Sequence, residues 1–134
     1  MELTPLSKDG PEYVSVAVGA TRAYIRANEE IVRRFVRSYA EAVHVFKSNK
    51  AIALRALQKY TRITEPETLD ETHKEYREYI ESIPYVSRKG IEAILAELAP
   101  TDAKARQAKP EDFIDMRFVS EMERDGFFKK LAGK

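Results

Sequence analysis

The chain contains no cysteine, no tryptophan and no long apolar run, and its opposite charges nearly cancel. The absence of cysteine excludes disulfide bonds, thiolate catalysis and zinc sites built on cysteine. No apolar stretch approaches the roughly 18 residues that a membrane-spanning helix needs. A formal net charge of +1 over 134 residues gives no overall reason to expect a nucleic acid or a strongly acidic partner. The five glycines are scattered singly and form no phosphate-binding loop.

The composition that remains is that of an ordinary globular protein. Hydrophobic residues make up 43% and charged residues 34% of the chain, so there is enough apolar material to bury a core. Residues 1–12 contain two prolines and a glycine and predict an irregular lead-in. We therefore expect a single helical domain over residues 13–134.

One segment has the pattern of a β-strand. In "YVSVAVGA", Tyr13–Ala20, the residues Val14, Val16 and Val18 alternate with smaller or polar ones. The sequence therefore predicts one short N-terminal strand. A single strand cannot form a sheet, so its backbone groups need a partner from elsewhere.

The rest of the chain has helical periodicity and predicts five to seven helices in a mainly α fold. Thr21, Asn28 and Ser87 are residue types that cap helix N-termini, and Pro66 is tolerated in a first turn. Apolar residues recur at three- and four-residue steps through most of the chain. Residues that we expect to face the core include Phe35, Tyr39, Val43, Ile52, Ala53, Tyr60, Leu69, His73, Tyr76, Ile91 and Leu98.

The C-terminal string "KPEDFIDMRFVSEMERDGFFKKLAGK" predicts a turn, a helix and a second reversal. Pro110 fixes the start of the turn, and acidic residues follow it in positions that favour a helix N-terminus. We expect Phe113 and Phe118 to anchor this tail on the helical core. Gly126 is placed to end the helix in a conformation with positive φ.

The charges are unevenly distributed along the chain. Residues 29–62 contain eight basic and three acidic residues, whereas residues 65–82 contain two basic and seven acidic ones. Two interpretations remain open. The segments form solvated helix faces that attract each other when adjacent, or the basic segment is a docking face for another protein.

The candidates for metal or acid–base chemistry are weak. His44 and His73 are the only histidines, and together with Glu71 or Glu75 they match no metal-binding spacing. Core or surface roles are favoured for both histidines. We expect no catalytic residues, no metal and no cofactor.

The stretch "VRRFVRSY" contains a small basic cluster. Arg33, Arg34 and Arg37 lie close together on one side of the predicted helix. A nucleic-acid-binding protein usually has a wider basic surface, and the acidic helix downstream opposes it. We therefore expect no nucleic acid partner.

Several strings in order resemble the late region of one protein family. They are "GATRAYIRANEEIVRRFVRSYAEAVHVFKSNKAIALRALQKYTRI", "YVSRKGIEAIL" and "KPEDFIDMRFVSEMERDGFF". This order is similar to that of solute-binding proteins of ABC importers, in the group that includes nitrate, taurine, alkanesulfonate and thiamine-pyrimidine binders. The similarity extends over roughly residues 13–131. It implies the helical C-terminal part of a type II periplasmic binding fold.

The resemblance implies a function, a set of partners and a location. The function is that of a substrate-binding component, or a fragment of one, for a small organic or anionic solute. The implied partners are that solute and an ABC permease, and the implied location is periplasmic or extracytoplasmic. The start "MELTPLSKDGPEY" lacks a signal-peptide layout, and the first lobe of the family is expected to be missing from this chain. The alternative function is a freestanding helical protein-interaction module without a ligand cleft.

The resemblance places a possible ligand site where the strand ends. Thr21 and Arg22 offer a hydroxyl and a guanidinium to an anionic or polar solute, and Tyr13 or Tyr24 supplies an aromatic wall. The competing interpretation is structural, with Thr21 capping a helix and Arg22 in an ion pair.

We also expect a homo-oligomer. A strand without its sheet, and helices without the lobe they would cover, leave backbone groups and apolar surface exposed. Two copies satisfy both by pairing their residues 13–20 as antiparallel strands, or by exchanging the N-terminal segment around a two-fold axis. In the alternative, residues 1–20 fold back over the helices of a monomer.

Overall fold

The structure is a computed structural model that describes residues 12–14 and 16–133, and these are mainly helical. The mainly α fold class is therefore confirmed, although the described residues form eight α-helices, more than the predicted five to seven. In chain order the elements are α1 (Arg22–Ala27), α2 (Glu29–Ser48), α3 (Lys50–Thr61), α4 (Pro66–Tyr79), α5 (Arg88–Leu98), α6 (Ala103–Gln107), a 3-10 turn (Pro110–Asp112), α7 (Arg117–Arg124) and α8 (Phe127–Ala132).

The predicted N-terminal strand is wrong. Residues 12–14 and 16–20 are not extended into a ladder, and the described residues contain no β-strand. A strand needs a neighbour for its backbone hydrogen bonds, and no other described segment supplies one. Val16 is instead 87% exposed, while Val14 packs against a helix. The predicted lead-in at 1–12 lies outside the described residues except for Glu12.

The helix starts follow the capping chemistry of the sequence in most cases. The Thr21 hydroxyl accepts from the Tyr24 backbone N–H at 3.2 Å, and Asn49 accepts from Ile52 N–H at 3.1 Å. Ser87 accepts from the backbone N–H of Gly90, and Pro66 occupies the first turn of α4. Asn28 occupies the N-cap position of α2, as predicted, but its side chain makes no capping hydrogen bond.

The chain forms two compact units. One consists of the described residues up to 26 together with 85–117, and we call it unit A. The other consists of residues 27–84 and 118–133, and we call it unit B.

Unit B contains the buried core. Helices α2, α3 and α4 pack in sequence, and α8 packs on α2. Ala40 of α2 and Ala53 of α3 are each only 1% exposed, and such small side chains allow two helices to approach closely. The larger buried residues are Val43, Leu69, Phe118 and Val119. Phe118 is thus confirmed as an anchor of the C-terminal segment.

Unit A is held together by α5, against which α6 and the 3-10 turn pack. Gly90 of α5 is buried because Val14 lies over it, and the Ser87 hydroxyl donates to the Glu12 carboxylate. The alternative expectation for the N-terminus therefore holds for Glu12 and Val14, which fold back onto a helix.

Several residues predicted to face the core are exposed. Ile52, Tyr60 and Phe113 are 42%, 79% and 61% exposed. The other exposed members of the predicted core are Phe35, Tyr39, Tyr76 and Leu98. Those predictions are wrong. The apolar faces of the helices are wider than the surface that neighbouring helices cover, so periodicity alone overestimates the core.

The Gly126 prediction is confirmed. Gly126 has φ 72° between α7 and α8, a left-handed conformation that glycine adopts at little cost. Arg62, after α3, is the other described residue with positive φ, at 63°.

Candidate functional site

The predicted solute-site residues lie in unit A, at and before the start of α1. The hydroxyl of Thr21 is engaged as the N-cap of α1. The guanidinium of Arg22 donates to the backbone carbonyl of Asp112 at 2.8 Å and lies 3.7 Å from its carboxylate. Both residues therefore make the contacts expected if their roles are structural, with Thr21 capping a helix and Arg22 in an ion pair.

The two tyrosines of that site are half-exposed. Tyr13 precedes α1, and Tyr24 lies in its first turn, two positions after Arg22. Thr21, Arg22 and Tyr24 therefore lie together at the start of α1. The Arg22 side chain remains two-thirds exposed and accessible to a solute.

The basic cluster of α2 is neutralised by carboxylates within unit B. Arg33 pairs with Glu121 and lies 3.1 Å from Glu29. Arg34 Nε lies 3.0 Å from a Glu30 oxygen. The hydrogen bond that the Arg33 guanidinium donates to the Glu121 carboxylate raises the pKa of Arg33 above its ordinary value.

Two of these arginines also stack on aromatic rings. The Arg33 guanidinium lies 5.1 Å from the centre of the Phe118 ring, and that of Arg37 lies 4.7 Å from the centre of Phe127. Arg37 is also within 3.3 Å of Glu41. The cluster therefore fastens α7 and α8 onto α2, which is a structural role.

A different part of α2 is an exposed apolar stripe, which we define as Ile31, Phe35 and Tyr39. These residues are four positions apart, so they lie on one face of the helix. They are 56%, 50% and 40% exposed. On the opposite side of the helix Ala40 is buried, whereas Val43, four positions after Tyr39, continues the same row and is itself buried. The stripe is a contiguous apolar surface that no described residue covers fully.

A hollow of about 760 Å³ lies between α3 and α4. Its apolar lining comes from Leu54, Pro66 and Leu69. Carboxylates of Glu67 and Glu71 stand beside it. This arrangement is an open groove on unit B, with apolar walls and acidic neighbours.

His73 is a core residue of unit B. It is 4% exposed, its Nε2 lies 3.0 Å from the Phe46 carbonyl oxygen, and its ring lies 5.1 Å from the Phe46 ring. Over residues 12–14 and 16–133, no group of three or more His, Asp or Glu side chains is placed to hold a metal ion.

No helix in the described part of the chain combines the length and apolarity needed to cross a membrane. Comparisons with protein-family models, curated proteins and solved structures found no match. The resemblance to solute-binding proteins therefore has no support from these comparisons. The exposed stripe and the groove were not predicted from the sequence, although the four-residue spacing of Ile31, Phe35 and Tyr39 was visible in it.

Proposed function

We propose that this chain is a non-catalytic binding component, the helical part of a solute-binding protein of an ABC importer. The observation that carries the proposal is the exposed apolar stripe of α2. A helix whose far side is buried in its own unit, and whose near side presents Ile31, Phe35 and Tyr39, is suited to pack on a second layer. In this account the second layer is an α/β lobe, carried on the same or on another chain.

The charges around the stripe fit that role. Glu30 and Arg34, next to the stripe, pair with each other, as do Arg37 and Glu41. The stripe is therefore bordered by carboxylates and guanidiniums that are already neutralised. An apolar protein surface can cover it without leaving an unpaired charge buried.

Replacing two stripe residues by aspartate separates binding from folding. Because Ile31 and Phe35 are largely exposed, we expect Ile31→Asp/Phe35→Asp to change the free energy of unfolding of the chain by less than about 1 kcal/mol. Association with the lobe should fall at least tenfold, since two carboxylates would be buried against apolar surface. The matched control is Ala51→Asp/Gln58→Asp, which adds two carboxylates at exposed positions of α3 and leaves the stripe unchanged.

The solute site is the finer part of the proposal and is assigned to Thr21, Arg22, Tyr13 and Tyr24. The two-thirds exposed guanidinium of Arg22 supports it, because it keeps donors available beyond those used by Asp112. In thermal-shift assays with nitrate, taurine, an alkanesulfonate and a thiamine pyrimidine, at least one solute should raise the melting temperature.

The Arg22→Ala variant is expected to abolish that shift. The matched control is Arg26→Ala, which removes an exposed arginine from the last turn of the same helix. The shift is measured relative to the solute-free melting temperature of the same variant. Any stability that the variant loses with the Asp112 contact therefore does not count as loss of binding. An undiminished shift in Arg22→Ala would remove Arg22 from the site.

A second candidate is a freestanding helical interaction module without a ligand site. The specific observation in its favour is that Thr21 and Arg22 are each engaged in intramolecular contacts. This candidate predicts that no solute in the panel shifts the melting temperature, while the stripe variant still loses binding to a protein partner.

A further inference from the structure

Helix α3 carries a row of cations that make no ion pair. Arg55 and Lys59 are four residues apart and therefore lie on one side of α3, and Arg62 follows directly after the C-terminal end of that helix. All three are exposed. None makes an ion pair with any described residue, in contrast to the arginines of α2. We call these three residues the basic row.

Helix α4 carries the complementary arrangement. Glu67, Glu71, Glu75 and Glu78 lie four, four and three positions apart, which places them on one face of the helix together with Lys74. All four are exposed, and none makes an ion pair within residues 12–14 and 16–133. We call them the acidic row. The one ion pair between the two helices joins Lys50 and Asp70, which belong to neither row.

An open groove lies between α3 and α4, and an exposed aromatic ring stands near the C-terminal end of α3. Tyr60 is the most exposed of the large hydrophobic residues of unit B, at 79%. The ammonium group of Lys59 lies 5.4 Å from the centre of its ring. The groove lined by Leu54, Pro66 and Leu69 has a volume of about 760 Å³, within the range of about 300–1,000 Å³ that holds small ligands.

We propose that these features form one surface through which two copies of this chain associate about a two-fold axis. The basic row of each copy faces the acidic row of the other, and Tyr60 of each copy enters the groove of the other. An interface about a two-fold axis uses the same patch on both subunits, so the basic row and the acidic row must both be present on one chain. The α3–α4 pair carries both.

The charge pattern selects a second copy over other occupants. A nucleic acid or another polyanion would meet the basic row, but the carboxylates of Glu67 and Glu71 on the neighbouring helix would repel it. A polycation meets the opposite difficulty. A partner that carries a basic row opposite the acidic row, and an acidic row opposite the basic row, is repelled by neither. A second copy of this chain is such a partner.

This inference is independent of the proposed function, because it uses α3 and α4 rather than the stripe of α2 or the start of α1. It also replaces pairing of residues 13–20 as the basis of self-association, since the described residues there form no strand. Exposed ion pairs are individually weak and are screened by salt. The association is therefore weak and salt-dependent.

Sedimentation of the full chain tests the proposal. At low ionic strength of about 0.01 M, where charges act over about 30 Å, the mass should approach twice 15.4 kDa at sub-millimolar concentration. At about 1 M salt, where charges act over about 3 Å, the dissociation constant of the dimer should be at least tenfold higher. A 15.4 kDa species at low ionic strength and high concentration would overturn the proposal.

Charge swapping identifies the surface. Arg55→Glu/Lys59→Glu/Arg62→Glu makes both rows acidic, and Glu67→Lys/Glu71→Lys/Glu75→Lys makes both rows basic. Each variant alone should be monomeric at low ionic strength, because like charges then face each other. An equimolar mixture should form a one-to-one dimer, because every row again meets its opposite. Dimers of either variant alone, or a mixture that stays monomeric, would contradict the proposal.

A single substitution keeps the test independent of how well the triple variants fold. Tyr60→Ala should weaken dimerisation at least tenfold. The control Tyr85→Ala removes an exposed tyrosine of unit A and should leave dimerisation unchanged. If Tyr60→Ala has no effect, insertion into the groove is wrong. Binding of a single-stranded oligonucleotide that competes with dimerisation would assign the basic row to a polyanion instead.

Discussion

Replacing Phe118 with alanine is expected to lower the free energy of unfolding by about 3 kcal/mol or more, which is typical of a buried phenylalanine. The ring is 4% exposed and also lies beneath the guanidinium of Arg33. Truncation therefore removes apolar burial and a cation–π contact at once. Few large side chains are buried among the described residues of unit B, so this one loss should affect the whole unit.

Urea unfolding followed by circular dichroism measures this effect. The matched control is Phe113→Ala, because Phe113 lies only five positions away but is 61% exposed. It should cost less than about 1 kcal/mol, as exposed substitutions usually do. Equal losses in the two variants would show that the C-terminal segment is not anchored through Phe118.

The substitution Gly90→Ala is expected to detach the N-terminal segment from α5 at a cost of about 1–3 kcal/mol, the usual penalty for overpacking. A β-carbon at Gly90 would stand 2.8 Å from the Val14 Cγ2 atom and 3.1 Å from its backbone nitrogen. The second of these neighbours is backbone, so a rotamer change of Val14 alone does not relieve the clash. The helix propensity of alanine, about 1 kcal/mol better than glycine, offsets part of this cost.

Hydrogen exchange and limited proteolysis near Val14 report the detachment directly. The Val14→Ala substitution removes the nearer clashing atom, so Gly90→Ala should cost less in that background than in the wild type. Gly19→Ala serves as the control, because nothing lies within 4 Å of its would-be β-carbon. If Gly90→Ala leaves exchange near Val14 unaltered, the segment does not pack on α5 as described.

The sequence predicts the helices well because their signals are local. Caps at Thr21 and Ser87, a first-turn proline at Pro66 and a left-handed glycine at Gly126 each act over a few residues. These signals need no knowledge of what lies across the fold, so the boundaries drawn from them agree with the structure.

The predictions that fail depend on distant contacts. The alternating valines of residues 13–20 have the pattern of a strand, yet a strand requires a neighbour that no described segment provides. Ile52 and Tyr60 share the apolar periodicity of α3 with the buried Ala53, and only the packing of α2 and α4 decides which of them is covered. Periodicity gives the width of an apolar face, whereas the area covered depends on neighbours.

The same limit applies to the candidate sites. The sequence identifies the arginines of α2 as a basic cluster, but their carboxylate partners include Glu121, 88 positions from Arg33. Conversely, the cations and carboxylates that lack ion pairs lie on α3 and α4. The sequence alone does not show that these side chains lack ion pairs, because the partners of the other charged residues are known only from the structure.

The central claim is that the apolar stripe of α2 packs on an α/β lobe of a solute-binding protein. The most direct test places a photoactivatable phenylalanine analogue at Phe35 in the protein produced by its native host, with an equivalent substitution at the exposed Lys104 as the control. The account predicts that Phe35, and not Lys104, is cross-linked to peptides of an α/β solute-binding lobe, identified by mass spectrometry. No adduct at Phe35, or adducts only to a protein of another class, would contradict it.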